Sequence, residues 1–128
     1  MTPTPVVATV DDDRRVRESI HSVLESAGYD AVMFESAEDF LESGLLPRLG
    51  CVIVDVRLPG LNGVELQHRI RQQQPSMPVI FVTAHDDDGI RTRALRGGAV
   101  AFMLKPFDAA ALLETVERAT RTSDSEEL

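Results

Sequence analysis

The chain has 128 residues, 43% of them hydrophobic, and a formal net charge of -8. That length supplies one compact core and is too short for two, so a single domain is expected. The charge argues against non-specific contact with nucleic-acid backbones or anionic lipid, and no stretch approaches the roughly 20 consecutive apolar residues of a membrane span.

The opening Met1-Thr2-Pro3-Thr4-Pro5 lacks the basic start and apolar centre of a secretory signal, so a soluble, cytoplasmic protein is expected. VVATV then reads as a strand, and Val16, Ile20, Val23, Leu24 and Ala27 recur at helical spacing until Gly28. DAVMF is a weaker second strand, followed by a short helix with Ser36 as its cap and Ala37, Phe40 and Leu41 as its apolar stripe, closed by Gly44 and Pro47. CVIV and VIFV are continuously apolar, as central strands covered on both faces should be. Cys51, alone of its kind at the head of CVIV, reads as a small buried hydrophobe rather than a redox thiol. Between these strands Asn62 opens a helix in which Leu66 and Ile70 face inward and which ends before Pro75. A fourth helix near 87–96 carries Ile90, Ala94 and Leu95 and stops at Gly97-Gly98. AVAFML is the last strand, and Leu112, Leu113, Val116 and Ala119 mark a fifth helix. The closing RTSDSEEL is polar, so residues 1–121 are taken as the domain and 122–128 as a polar tail or the start of a linker. Short strands alternating with helices predict repeated βα units around a parallel sheet.

The four apolar strand runs each end on chemistry. VVATV precedes Asp11, Asp12 and Asp13, CVIV precedes Asp55, VIFV precedes Thr83, and AVAFML precedes Lys105-Pro106. In a parallel sheet these residues converge at the carboxyl edge, where ligands bind in open α/β folds. Carboxylates gathered there repel one another, so keeping several ionised requires a cation, and hard oxygen ligands select Mg²⁺ or Mn²⁺. Asp11, Asp12 and Asp55 would supply that site. A carboxylate is also a nucleophile toward phosphorus, and Asp55, at the end of the central strand, is the better placed one. Lys105 can reach phosphoryl oxygens on its long stem, and the Thr83 hydroxyl can donate to one of them.

Each of these residues taken alone has a plainer reading. An Asp after a strand is usually a cap or turn residue, Thr83 a strand-end residue, and Lys105 a solvated cation. Their joint occurrence favours the site. Asp13 reads equally as a first-turn carboxylate or a metal ligand. Asp86-Asp87-Asp88 reads as helix-start chemistry, His21 and His68 as surface residues, and His85, two residues after Thr83, as a candidate for the border of the site.

VDDD at 10–13, VDVRLPGLNG at 54–63, VTAH at 82–85 and KPF at 105–107 resemble the receiver domain of two-component response regulators, over residues 5 to 121. The resemblance implies a flavodoxin-like (βα)5 doubly wound parallel sheet in the order 2-1-3-4-5. It implies that Asp55 accepts a phosphoryl group from a sensor histidine kinase, with Asp11, Asp12 and the backbone carbonyl of Arg57 holding Mg²⁺. Thr83 and Lys105 become the phosphoryl-binding pair, Phe102 the aromatic switch, and Lys105-Pro106 a cis bond. The kinase would meet the first helix, at Arg14, Arg17 and Ser22, and the loop after Lys105.

PG-x-NGVEL, SAEDFL and GAVAFMLKPF are especially similar to the FixJ-like subgroup, which usually joins a receiver to a helix-turn-helix DNA-binding domain. That implies transcriptional output by a domain outside this chain, and a homodimer formed on phosphorylation through a face carrying Ile90 and Leu95. No nucleic-acid contact by this segment and no membrane partner are expected. Leu58 in place of the commoner Met, Phe102 in place of Tyr, and the additional Asp13 depart from the family pattern without removing an obligatory group. Two alternatives stand beside this reading. One is a stand-alone receiver acting by protein contacts, and a version without phosphorylation would lack the Asp, Thr or Lys. The other is a haloacid-dehalogenase-like phosphatase, which would want a second Asp where Asp55-Val56-Arg57 offers Arg.

Overall fold

The computed structural model describes residues 5–126, with side chains to 121. Most of the opening segment read above for a secretory signal, and the end of the polar tail, lie outside the described residues. Five strands, β1 (Val6–Val10), β2 (Asp30–Phe34), β3 (Leu49–Val54), β4 (Val79–Thr83) and β5 (Ala101–Leu104), alternate with five helices. The helices are α1 (Arg14–Ser26), α2 (Ala37–Glu42), α3 (Gly63–Gln73), α4 (Asp88–Arg96) and α5 (Ala109–Glu126), and a 3-10 turn spans Leu46–Arg48 before β3. All strand pairs are parallel, in the order β2-β1-β3-β4-β5, which is the predicted arrangement. Among the described residues no helix is long and apolar enough to cross a membrane.

The sheet separates two apolar layers. Ala37, Phe40, Leu66, Ile70 and Ala94, from α2, α3 and α4, pack with Val52 and Val54 on one face. Ile20, Leu24, Leu112, Val116 and Ala119, from α1 and α5, pack with Cys51 and Ile53 on the other. Successive β3 residues therefore enter opposite cores, which is why that strand reads as an unbroken apolar run. Burial pushes the Cys51 thiol up to about 12, leaving it the inert hydrophobe that its position suggested.

Some ends differ from the sequence reading, β3 among them, which begins at Leu49 ahead of CVIV. β5 begins at Ala101 rather than Ala99, because Ala99 N–H still bonds back to the Ala94 carbonyl in the turn that closes α4. α5 does not stop where its apolar residues stop but continues to Glu126. Once nucleated, a helix extends at little cost through residues that contain neither Gly nor Pro.

All five helices begin at the carboxyl edge of the sheet with a side-chain cap, α5 through Asp108, which accepts from Ala110 N–H at 3.3 Å. Asp13 accepts from Arg15 N–H, Ser36 from Asp39 N–H, and Asp87 from Ile90 N–H. Asn62 accepts from Glu65 N–H while the Glu65 carboxylate accepts from Asn62 N–H. Such caps pair orphan backbone donors and fix where each loop hands over to its helix.

Candidate functional site

The parallel register delivers the ends of β1 and β3 side by side, with Val10 opposite Val54, so the residues that follow each strand are neighbours. Asp11, Asp12 and Asp55 each have a carboxylate oxygen within 4.8 Å of the others. Asp11 and Asp55 are buried and Asp12 is exposed, so the cluster opens to solvent on one side. Lys105, reaching across from the end of β5, places Nζ 2.9 Å from Asp11 Oδ2 and 2.8 Å from Asp55 Oδ2. One ammonium against three carboxylates leaves the cluster negative. An all-oxygen, partly open donor set of that charge fits a hard divalent cation such as Mg²⁺.

The electrostatics follow from burial and pairing. Burial raises the Asp11 carboxyl above the usual carboxylate range and the Asp55 charge adds to this, although the Asp13 N–H at 2.9 Å and Lys105 pull it back. Burial opposes the charged form of Lys105, but hydrogen bonds to Asp55 and Asp11 and their negative charge outweigh it and hold the ammonium above its ordinary value. The Lys105-Pro106 peptide bond is cis.

The backbone around the cluster is fixed by contacts that the sequence reading did not identify. Arg17, expected to face a partner, instead donates from Nη1 to the Asp11 carbonyl at 2.8 Å, holding the end of β1. Arg57 N–H donates to Asp55 Oδ1 at 3.2 Å, laying that backbone against the carboxylate, while the Arg57 side chain is exposed. Gly63, the first residue of α3, packs so closely on the Asp55 carbonyl that a Cβ there would overlap it. From α2, Glu38 accepts from Leu61 N–H at 2.9 Å, and Gly60 turns beneath that carboxylate with φ +71. The signal for Glu38 lay in SAEDFL, a motif that carried no chemistry until the fold brought it against PGLNG.

Thr83 is fully buried at the end of β4, and its hydroxyl accepts from His85 N–H at 3.3 Å. His85 thus borders the site through its backbone. Phe102 lies next to Phe81, with ring centroids 6.1 Å apart. Of the expected output face, Leu95 is exposed, but Ile90 is half-buried against the core. Asp13 resolves as the α1 cap, Asp87 as the α4 cap, and His68 as an exposed residue. His21 is half-buried and lies 2.8 Å from Glu25 on the same helix.

A family model for the response regulator receiver domain matches residues 7–117. The transcriptional regulatory protein FixJ of Bradyrhizobium diazoefficiens is 39% identical over 126 residues, covering 97% of this chain and 60% of that protein. Nodulation protein W of the same organism is 39% identical over 90% of this chain and 51% of its own length. The chain thus spans about half to three-fifths of the curated relatives it matches first. Among solved structures, a CheY-like response regulator receiver domain protein from Methanospirillum hungatei superposes with a TM-score of 0.89 at 25% identity, covering 97% of this chain and 99% of that one.

Proposed function

The chain belongs to the response regulator receiver domain family, and from that premise and the carboxylate cluster we propose that Asp55 accepts a phosphoryl group from the phosphohistidine of a sensor kinase. The observation that carries this is the Lys105 ammonium held between Asp11 and Asp55 at the open edge of the sheet. As a carboxylate oxygen of Asp55 bonds to phosphorus, the phosphorus–nitrogen bond of the donor breaks and its electron pair returns to the imidazole. Lys105, already hydrogen-bonded to Asp55, passes that contact to a phosphoryl oxygen. The Thr83 hydroxyl accepts from His85 and keeps its own proton to donate to another oxygen. Asp11, Asp12, Asp55 and the Arg57 carbonyl would hold Mg²⁺, which screens the charge of the incoming phosphoryl group.

The donor's approach is accommodated by a groove of about 580 Å³ between α1 and the loop after Lys105, lined by Val16, Ser19, Val23, Pro106 and Phe107. Phosphorylation then shifts an existing two-state equilibrium in which Thr83 and Phe102 change position. The outcome is transcriptional control through a DNA-binding domain outside this chain, by homodimers of the phosphorylated form, in a cytoplasmic setting. The second carboxylate that a haloacid-dehalogenase-like phosphatase needs is Arg57 here, so that alternative gains no support.

Titration with beryllofluoride at constant Mg²⁺, followed by amide resonances, tests the reading. The amides of Asp55, Thr83 and Lys105 are expected to shift in the wild type and to stay in place in Asp55→Asn. A response in Asp55→Asn equal to that of the wild type would contradict it.

A further inference from the structure

Phe102 has no hydroxyl, so no hydrogen bond of its own can anchor the ring. Two neighbours set its position instead. Phe81 lies beside it within the sheet, tilted by 38°. Above it, from α4, the Arg91 guanidinium carbon lies 5.2 Å from the ring centroid, inside the roughly 6 Å over which a cation is drawn to an aromatic face. The same guanidinium places Nη2 3.7 Å from Asp86 Oδ1. Asp86 is in the loop between β4 and α4, directly after His85, whose N–H bonds to the Thr83 hydroxyl. Arg91 is therefore the one side chain in these contacts that touches both the ring and the loop that follows Thr83. Among the described residues its buried Nε has no hydrogen-bond partner. Leaving that donor unpaired is unfavourable, so the stacked arrangement is one that a competing position of Arg91 can displace.

We propose that Arg91 is a positioning residue that couples Thr83 to Phe102: its guanidinium holds the ring in the arrangement described here and is withdrawn when the loop at 84–87 moves. The coupling rests on the reading of Asp55 as phosphoacceptor, since the loop moves when Thr83 turns its hydroxyl to a phosphoryl oxygen and the His85 contact changes. A Tyr at position 102 would have a hydroxyl to take a hydrogen bond in each arrangement. Phe102 has none, and the cation above its face replaces that control. Arg91 is suited to both contacts because its planar fork stacks and pairs at once, which the point charge of Lys does not.

Isotope-labelled phenylalanine separates this from a merely structural role, with the Phe102 ring signals assigned by Phe102→Leu and recorded with and without beryllofluoride and Mg²⁺. In the wild type the Phe102 ring signals are expected to move on activation. In Arg91→Ala the free-state signals are expected to lie already toward the activated positions, a population shift of roughly two- to fivefold, the factor that an exposed cation–π contact sustains. Arg91→Lys, which keeps the charge but loses the fork, should fall between. The amides of Asp55 and Lys105 report that the site is intact in both variants. Phe102 signals in Arg91→Ala that coincide with the wild type in both states overturn the proposal. A wild-type Asp55 amide that ignores beryllofluoride overturns the phosphoacceptor reading instead, and the free-state ring comparison still decides whether Arg91 holds Phe102.

Discussion

At the scale of single residues, the three acidic groups are not equivalent, and burial is what separates them. Asp11 and Asp55 are buried and share Lys105, whereas Asp12 is exposed and has no bond to that ammonium. Asp12→Ala should therefore leave the Lys105 bridge and the fold in place while removing an oxygen and a negative charge from the open side of the cluster. We expect Mg²⁺ affinity to fall by at least about tenfold, the lower end of what even outer-shell substitutions cost a metal site. Titration of the variant against the wild type checks this, and an unchanged affinity would remove Asp12 from the site. These residues were legible in the sequence because each follows an apolar run, and parallel strands bring such positions together. Arg17 was not legible. Its spacing from Asp11 is an ordinary helix-start spacing, and only the path of α1 over the end of β1 aims it at the Asp11 carbonyl.

At the scale of elements, the loop from β3 to α3 is held from both ends. Gly63 seats the start of α3 against the Asp55 carbonyl, and the reciprocal Asn62–Glu65 cap fixes that start. Further back, Glu38 on α2 holds Leu61 N–H, and Gly60 supplies the left-handed turn that leaves room for the carboxylate. The Leu61 N–H contact is the main reason the Glu38 carboxyl lies below its ordinary value, followed by its own backbone N–H and then the nearby Arg69 charge. A carboxyl depressed in the folded state adds stability that is present above its unfolded value of about 4.5 and is lost as pH falls through the folded value. Glu38→Ala should accordingly speed hydrogen exchange at the Leu61 amide near neutral pH and flatten the acid side of the stability profile. Glu38→Gln, which keeps an acceptor oxygen, should retain more of the protection. Equal exchange at Leu61 in wild type and Glu38→Ala would show that α2 does not hold the loop. Helix starts were readable because Ser36, Asn62 and Asp87 are caps in sequence. The end of α5 was not, since a polar segment without a breaker looks the same whether it stays helical or leaves the fold.

At the scale of the whole molecule, the sheet order followed from the alternation of strands and helices and from the resemblance, because both faces of a parallel sheet must be covered. Less legible was which apolar side chains remain outside. Leu95 on α4, Val100 just before β5 and Leu104 on β5 are exposed, whereas Ile90 turns partly into the core. A two-fold contact through that face would bury the same residues on both copies. Sedimentation with and without beryllofluoride should show the activated chain to be the more dimeric. Thr83→Ala should lose that increase while still taking up phosphate, and identical association in every state would place the output elsewhere.

We propose Asp55, poised by Lys105 beside Asp11 and Asp12, as the phosphoacceptor. Intact-mass measurement after incubation with a small phosphodonor, with and without Mg²⁺, tests it most directly when the adduct is mapped to a residue. One phosphoryl group, gained only with Mg²⁺, located on Asp55 and absent from Asp55→Asn, is the expected result. A stable adduct on Asp11 or Asp12, or no adduct on the wild type under those conditions, would contradict it.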